Sequence, residues 1–292
     1  MPSLKEVRTR ISSVKSTQQI TSAMKMVAAS KLRRAQMAIV NMRPYAKKLN
    51  EILQNVSSND QSEENTFGIE RPVNRVLLVS ITSNRGLCGA FNANVIKKTR
   101  LLVEDEFKNL PKENVEIITI GKKASEFFSK KGFNHIGSYD RFFDHLSFEV
   151  IQPLAEEILE KFSKKQYDKV IIVYNQFKNA ATQYTVAEQL LPISQKPDQA
   201  KTGAKTSYLF EPSKEEILSS LIPSILRVQF YKTLLDSFAS EHGARMTAMQ
   251  QATDNAQEML RNLKLKYNKA RQAAITGEIL EIVGGAEALK NA

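Results

Sequence analysis

Cysteine is almost absent from this chain. Cys88 is the only one, which excludes an internal disulfide and any thiol–disulfide switch within the chain. Histidine is nearly as scarce: His135, His145 and His242 are scattered, without metal-ligand spacing, which argues against metal catalysis. No run approaches the ~20 apolar residues that a membrane span needs. The N-terminus, Met1-Pro2-Ser3-Leu4-Lys5-Glu6, has no apolar signal core and enters a helical pattern at once, without an acid-poor presequence. The expectation is a protein that works in the cytosolic compartment where it is made. Acidic side chains are all but missing from the first fifty residues, where Glu6 stands alone against eleven Lys and Arg. That segment therefore carries +10 of the chain's net +11. So one-sided a helix predicts an acidic partner: nucleic acid, anionic lipid or an acidic protein surface.

What is present is two coiled-coil seams at opposite ends of 292 residues. Ala35, Ile39, Met42, Ala46, Leu49, Leu53 and Val56 recur at alternating gaps of four and three. Met246, Met249, Thr253, Ala256, Leu260, Leu263, Tyr267, Ala270 and Ala274 repeat the spacing. The pattern predicts a first helix from a Ser3 N-cap, with Glu6 at the capping-box position, to about Val56. Pro44 interrupts this helix and predicts a bend. A last helix is predicted from Ser213 to about Leu289, with Pro223 as a second bend, and the two ends should return to each other as an antiparallel pair. Ala28, Ala29, Ala35, Ala270, Ala273 and Ala274 would let the backbones approach closely. The stretch Ile279-Leu280-Glu281-Ile282-Val283 is apolar and lacks cover if the last helix outruns its partner.

Between the seams the chain alternates strands and helices. Apolar runs at 75–81, 115–120 and 169–174 read as buried strands, and 184–193 as an edge strand. Helices are expected at 90–109, 122–131 and 148–165, with polar linkers at 57–65 and 194–206. The fold class is α/β plus a long antiparallel coiled coil, the centre being a small doubly wound domain. The expected organisation is a shaft helix over 1–57, an α/β domain over 74–195, and a foot segment with the second shaft helix over 207–292, in which 1–57 pairs with 213–290.

Chemistry is hard to find in this frame. The turn Ser83-Asn84-Arg85-Gly86-Leu87-Cys88-Gly89 follows a buried strand, where phosphate-binding loops occur, yet it matches neither GxGxxG nor GxxxxGK[ST]. It reads as a tight turn that needs glycine, and Cys88 as a small buried side chain. No paired-carboxylate site stands out, and a fold alone does not license function. Two other classes stay open on composition and fold: a basic coiled-coil nucleic-acid-binding protein, and a nucleotide-dependent enzyme built on the α/β domain.

Several blocks carry a family likeness. Arg10-Ile11-Ser12-Ser13-Val14-Lys15 continuing through Ala23-Met24-Lys25-Met26-Val27-Ala28 and Lys31-Leu32-Arg33, the turn Arg85-Gly86-Leu87-Cys88-Gly89, Ser240-Glu241-His242-Gly243-Ala244-Arg245-Met246, and Tyr267-Asn268-Lys269-Ala270-Arg271-Gln272 resemble the gamma-subunit family of F-type ATP synthases. The likeness runs over essentially the whole chain and implies the bacterial type. It implies a non-catalytic central-stalk rotor with no cofactor, which couples c-ring rotation to conformational change at catalytic sites on beta subunits. The implied partners are a 3:3 ring of alpha and beta, the epsilon subunit and the c-ring, with one copy of this chain per complex at the cytoplasmic face of the inner membrane. By the same likeness, Arg245, Arg271, Gln272 and Thr276 match beta-subunit catch contacts. Met24, Lys31, Arg33 and Arg34 match the region facing acidic beta levers. Tyr208, Phe210 and Glu211 match the foot on the c-ring, and Ile279, Leu280, Ile282, Val283 and Leu289 the upper bearing. Leu32 departs from the methionine common in the basic cluster, a volume-conserving change. No inserted segment with paired cysteines is present.

Overall fold

In a computed structural model, residues 4–57, 67–144, 146–193 and 214–290 are described; side chains at 50–57, 214–219 and 287–290 are not. The elements in chain order are α1 (Leu4–Ser57), β1 (Val76–Ile81), α2 (Phe91–Leu101), β2 (Val115–Ile120), α3 (Lys122–Phe128), β3 (His135–Ser138), α4 (Phe148–Ser163), β4 (Lys169–Phe177), β5 (Gln183–Leu191) and α5 (Lys214–Lys290). The chain divides into two compact units: Met1–Ala28 with Met246–Ala292, and Ala29–Arg245.

The larger unit is built on one five-stranded sheet in the order β3-β2-β1-β4-β5. β1 pairs in parallel with β2 and β4, and β2 with β3; β5 runs antiparallel to β4 at the edge. Every residue of β1 is buried, as its continuous apolar run requires when both faces are covered. One face carries α2 and α3 through Val95, Ala124 and Phe128 against Leu78, Ile117 and Val173. The other carries α4 and part of α5, with Ile151, Ile158, Phe162, Ile222, Phe230 and Leu234 over Leu77, Val79 and Ile172. The doubly wound reading therefore holds. Leu49 of α1 meets Ile225 and Val228 of α5, with Met42, Ala46 and Leu221 beside them. Full burial of each such side chain stabilises by about 1.5–3 kcal/mol.

In the smaller unit the two helix ends run antiparallel. The Thr21 and Thr253 hydroxyls meet at 2.8 Å, while Val7 and Arg10 share a groove with Met259, Leu263 and Lys266. Lower numbers on α1 thus meet higher numbers on α5. Buried or half-buried positions on α1 include Val7, Ile11, Val14, Gln18, Thr21, Lys25 and Ala28, a series in gaps of four and three, with half-buried Leu4, Ser22 and Met24 beside it. The seam therefore reaches much nearer the N-terminus than Ala35, where the run recognised from the sequence begins. Gln18, Thr21 and Lys25 hide it, because a seam is recognised in sequence by its apolar residues.

Several boundaries differ from expectation. Pro44 and Pro223 lie within continuous helices, as expected, and end neither. α2 stops at Leu101 and passes into a π-turn over Leu102–Glu106, closed by the Phe107 N–H donating to the Leu102 carbonyl at 3.0 Å. α3 ends at Phe128 and α4 at Ser163, each a little early. β3 is unforeseen, because His135-Ile136-Gly137-Ser138 is too short and mixed to read as a strand. Ala273 is exposed rather than facing a partner helix. Ser3, Ser213, Tyr208, Phe210 and Glu211 lie outside the described residues.

Candidate functional site

The turn after β1 sits where a doubly wound sheet takes its ligands, at the carboxyl ends of the strands beside the point at which strand order reverses. Here the chain fills that place itself. The first backbone donors of α3 are satisfied by the loop after β1: Lys122 N–H donates to Asn84 Oδ1 (3.0 Å), Lys123 N–H to the Ser83 carbonyl (3.2 Å), and Ala124 N–H to Thr82 Oγ1 (2.9 Å). A helix N-terminus so occupied has no such amides left for an anion. Gly121 opens α3 at φ +104°, and an added Cβ would lie 2.0 Å from the Thr82 carbonyl oxygen, so only glycine fits.

The turn is also knotted internally. Ser83 N–H donates to Asn92 Oδ1 (2.9 Å), Ser83 Oγ–H to the Arg85 carbonyl (2.6 Å), and Asn92 Nδ2 to Cys88 Sγ (3.3 Å). Leu87 and Gly89 both adopt positive φ. Cys88 is buried, as expected, and burial pushes its thiol pKa up, away from a reactive thiolate.

From α5, Arg245 reaches into this turn. Its Nη2 donates to the carbonyls of Arg85 (3.1 Å) and Gly86 (3.3 Å), and its Nη1 to Glu241 Oε1 (2.5 Å). Arg245 is 8% exposed. Its guanidinium, matched by resemblance to a beta-subunit contact, is held inside the chain. Burial raises the Glu241 pKa, while Arg245 opposes that shift. Burial, then Arg245 and Lys31, push His242 down to about 3, so the imidazole is neutral. Its Nδ1 lies 3.4 Å from Arg245 Nη1 and must accept, which leaves the proton on Nε2. Gly243 completes the arrangement: an added Cβ would come within 3.2 Å of Ala180 Cα in the β4–β5 connection. The block Glu241-His242-Gly243-Ala244-Arg245 thus fastens α5 to the α/β sheet. Sequence reasoning missed this, because Arg245 meets its carbonyl partners across about 160 intervening residues.

The other matched residues lie on open helix faces. Arg271, Gln272 and Thr276 are exposed, with Thr276 Oγ1 donating to the Gln272 carbonyl at 2.9 Å. Met24 is half-buried, whereas Lys31, Arg33 and Arg34 are exposed. Ile279, Leu280, Ile282 and Val283 stand in water at 54–71% exposure, the uncovered tip that the pattern foresaw. The side chain of Leu289 is not described. Among the described residues no His, Cys, Asp and Glu cluster suits a metal, and no helix is long and apolar enough to cross a membrane.

Comparison with known proteins agrees with this geometry. The family described as ATP synthase matches residues 3–289. The ATP synthase gamma chain of Cytophaga hutchinsonii is 54% identical over 298 residues, covering 100% of both chains. That of Flavobacterium johnsoniae is 55% identical over 290 residues, covering 99% of each. Among solved structures, a chain of the Euglena gracilis mitochondrial ATP synthase in rotational state 3 superposes with a TM-score of 0.68 at 24% identity, over 98% of this chain and 94% of that one. A chain of the Tetrahymena thermophila mitochondrial central stalk and c-ring superposes with a TM-score of 0.59 at 25% identity, over 80% and 99%. A full-length match to bacterial gamma chains, with two long terminal helices around an α/β sheet in the chain order, places this chain in the ATP synthase gamma-chain family.

Proposed function

We propose that this chain is the rotating central shaft of a bacterial F-type ATP synthase, which turns c-ring rotation into conformational change at catalytic sites on surrounding beta subunits. Gamma chains are non-catalytic rotor subunits, and a β1 turn whose hydrogen bonds are met within the chain suits that role. The observation that carries the reading is the bare tip of α5. Four large apolar side chains on a helix end with no intrachain cover require an apolar collar from elsewhere.

In this reading Arg271, Gln272 and Thr276 offer reversible polar contacts to a beta-subunit loop. The basic face at Lys31, Arg33 and Arg34 meets an acidic lever, and exposed ion pairs are individually weak enough to yield as the shaft turns. Ile279, Leu280, Ile282 and Val283 run in the collar. The α/β unit lies toward epsilon and the c-ring, with Tyr208, Phe210 and Glu211 as the foot, and the complex sits at the cytoplasmic face of the inner membrane. An antiparallel pair presents unlike faces around its axis, so each beta subunit in a ring of three meets a different surface. Co-expression with the organism's alpha and beta subunits tests the proposal: one copy per three alpha and three beta supports it, and a free monomer beside unassembled alpha and beta contradicts it. Salt-dependent nucleic-acid binding, the other reading of the basic helix, has no support among the relatives.

A further inference from the structure

A second surface of the larger unit has the build of a binding site and is used by nothing above. Where the π-turn after α2 meets the start of β2 and the end of α3, a groove of about 560 Å³ opens. That is within the range of small-molecule and peptide-anchor pockets. Its floor is aromatic: Phe107 is buried, and half-buried Phe127 and Phe133 face one another at 6.4 Å between ring centres. Its rim is cationic. Of the five ionisable groups that line it, Glu104 is the only acid, and Arg100 already pairs with it at 3.4 Å. Lys108, Lys112 and Lys131 are exposed and have no carboxylate partner among the described residues. The π-turn shapes one wall. It adds a residue to the helical turn at Leu102–Glu106, and Phe107 follows directly at its end. Such turns interrupt a helix at a cost in regularity and recur at functional sites.

We propose that this groove docks an acidic peptide segment of a partner protein, with one large apolar side chain on the Phe107, Phe127 and Phe133 floor and flanking carboxylates on Lys108, Lys112 and Lys131. Inorganic anions would satisfy the lysines and leave the aromatic floor wet. A neutral apolar segment would fill the floor and leave three cations facing it. An acidic segment with an aromatic or leucine anchor matches both, since charge complementarity at the rim fixes register while the buried anchor supplies affinity.

The test uses the full chain alone, so its failure leaves the rotor reading untouched. A short fluorescein-labelled peptide with glutamates on both sides of a phenylalanine–leucine pair is titrated by anisotropy. Two control peptides replace either the glutamates with glutamine or the phenylalanine–leucine pair with serine. Saturable binding is expected, weakened at least tenfold in both controls and in the K108E/K112E variant, whose fold is verified by circular dichroism. These are exposed rim substitutions, so the fold should persist. K97E on the exposed outer face of α2 should bind as the parent does. Absence of binding, equal binding of either control peptide, indifference to K108E/K112E, or displacement of the peptide by inorganic phosphate at equal concentration would overturn the proposal.

Discussion

Thr21 and Thr253 share a hydrogen bond at 2.8 Å, one hydroxyl from each helix of the antiparallel pair. Each hydroxyl also lies within reach of a carbonyl on its own helix, Gln18 for Thr21 and Met249 for Thr253. A threonine has one proton to give, so the pair couples two helices through a choice of donor. A polar pair in a seam fixes register, which apolar side chains leave free to slide, and a shaft that carries torque needs fixed register.

Replacing Thr21 with Val should lower the denaturation midpoint by the equivalent of about 1 kcal/mol, the usual net worth of such a bond. The Thr21→Val and Thr253→Val costs should not add, because each removes the same interaction. A double-mutant cycle measures this, and strict additivity would show that the contact carries nothing.

Arg245→Met should destabilise the larger unit by about 3–5 kcal/mol, because it leaves the Glu241 carboxylate buried without its partner. Arg245→Met with Glu241→Met should recover much of that loss. Chemical denaturation of the isolated chain is the measurement. Unchanged stability would mean that Arg245 is free for partners instead of fastening the β1 turn.

Gly121→Ala should cost about 3 kcal/mol or more, since the added methyl meets the Thr82 carbonyl at 2.0 Å and the φ of +104° is strained for any L side chain. Loss of near-ultraviolet dichroism from the α/β unit would report it. A neutral effect would imply that the β1–α3 junction is looser than described.

Two buried groups on α5 give opposite pH dependences. Burial raises Asp236 from 3.8 to about 6, so its folded form takes a proton first, and its contribution to stability is present at low pH and lost as pH rises through about 6. His242, lowered from 6.5 to about 3, contributes stability above 6.5 that is lost as pH falls toward 3. Between about pH 4 and 6 the two oppose each other. Asp236→Asn should therefore steepen the loss of stability on acidification in that window, as read by urea midpoints at successive pH values. A shallower profile would contradict the burial argument.

Strands β1, β2 and β4 were legible because their apolar runs are continuous, and a run buried on both faces leaves little else to be. The apolar tip of α5 was legible for a similar reason: the pattern continues where no partner helix is long enough. β3 was not, because its four residues gain their place from pairing with β2, including Thr119 Oγ1 beside His135 Nε2 at 2.9 Å. The polar seam at Gln18, Thr21 and Lys25 was hidden because periodicity is recognised by apolar content. Arg245 was visible as part of a block, but its partners are backbone carbonyls, which no sequence pattern marks. Burial and four acceptors hold its guanidinium within the chain.

The central claim is rotation, and single-molecule observation of the assembled complex tests it directly. Cys88 is the sole cysteine and is buried, so Lys164→Cys on the exposed end of α4 gives one labelling point on the larger unit. With beta subunits fixed to a surface, a probe on that cysteine should turn in one direction when ATP is added, and Arg271→Ala with Gln272→Ala should slow the turning about tenfold, equivalent to ~1.4 kcal/mol of lost transition-state stabilisation. A probe that stays fixed relative to beta while the complex hydrolyses ATP would contradict the account.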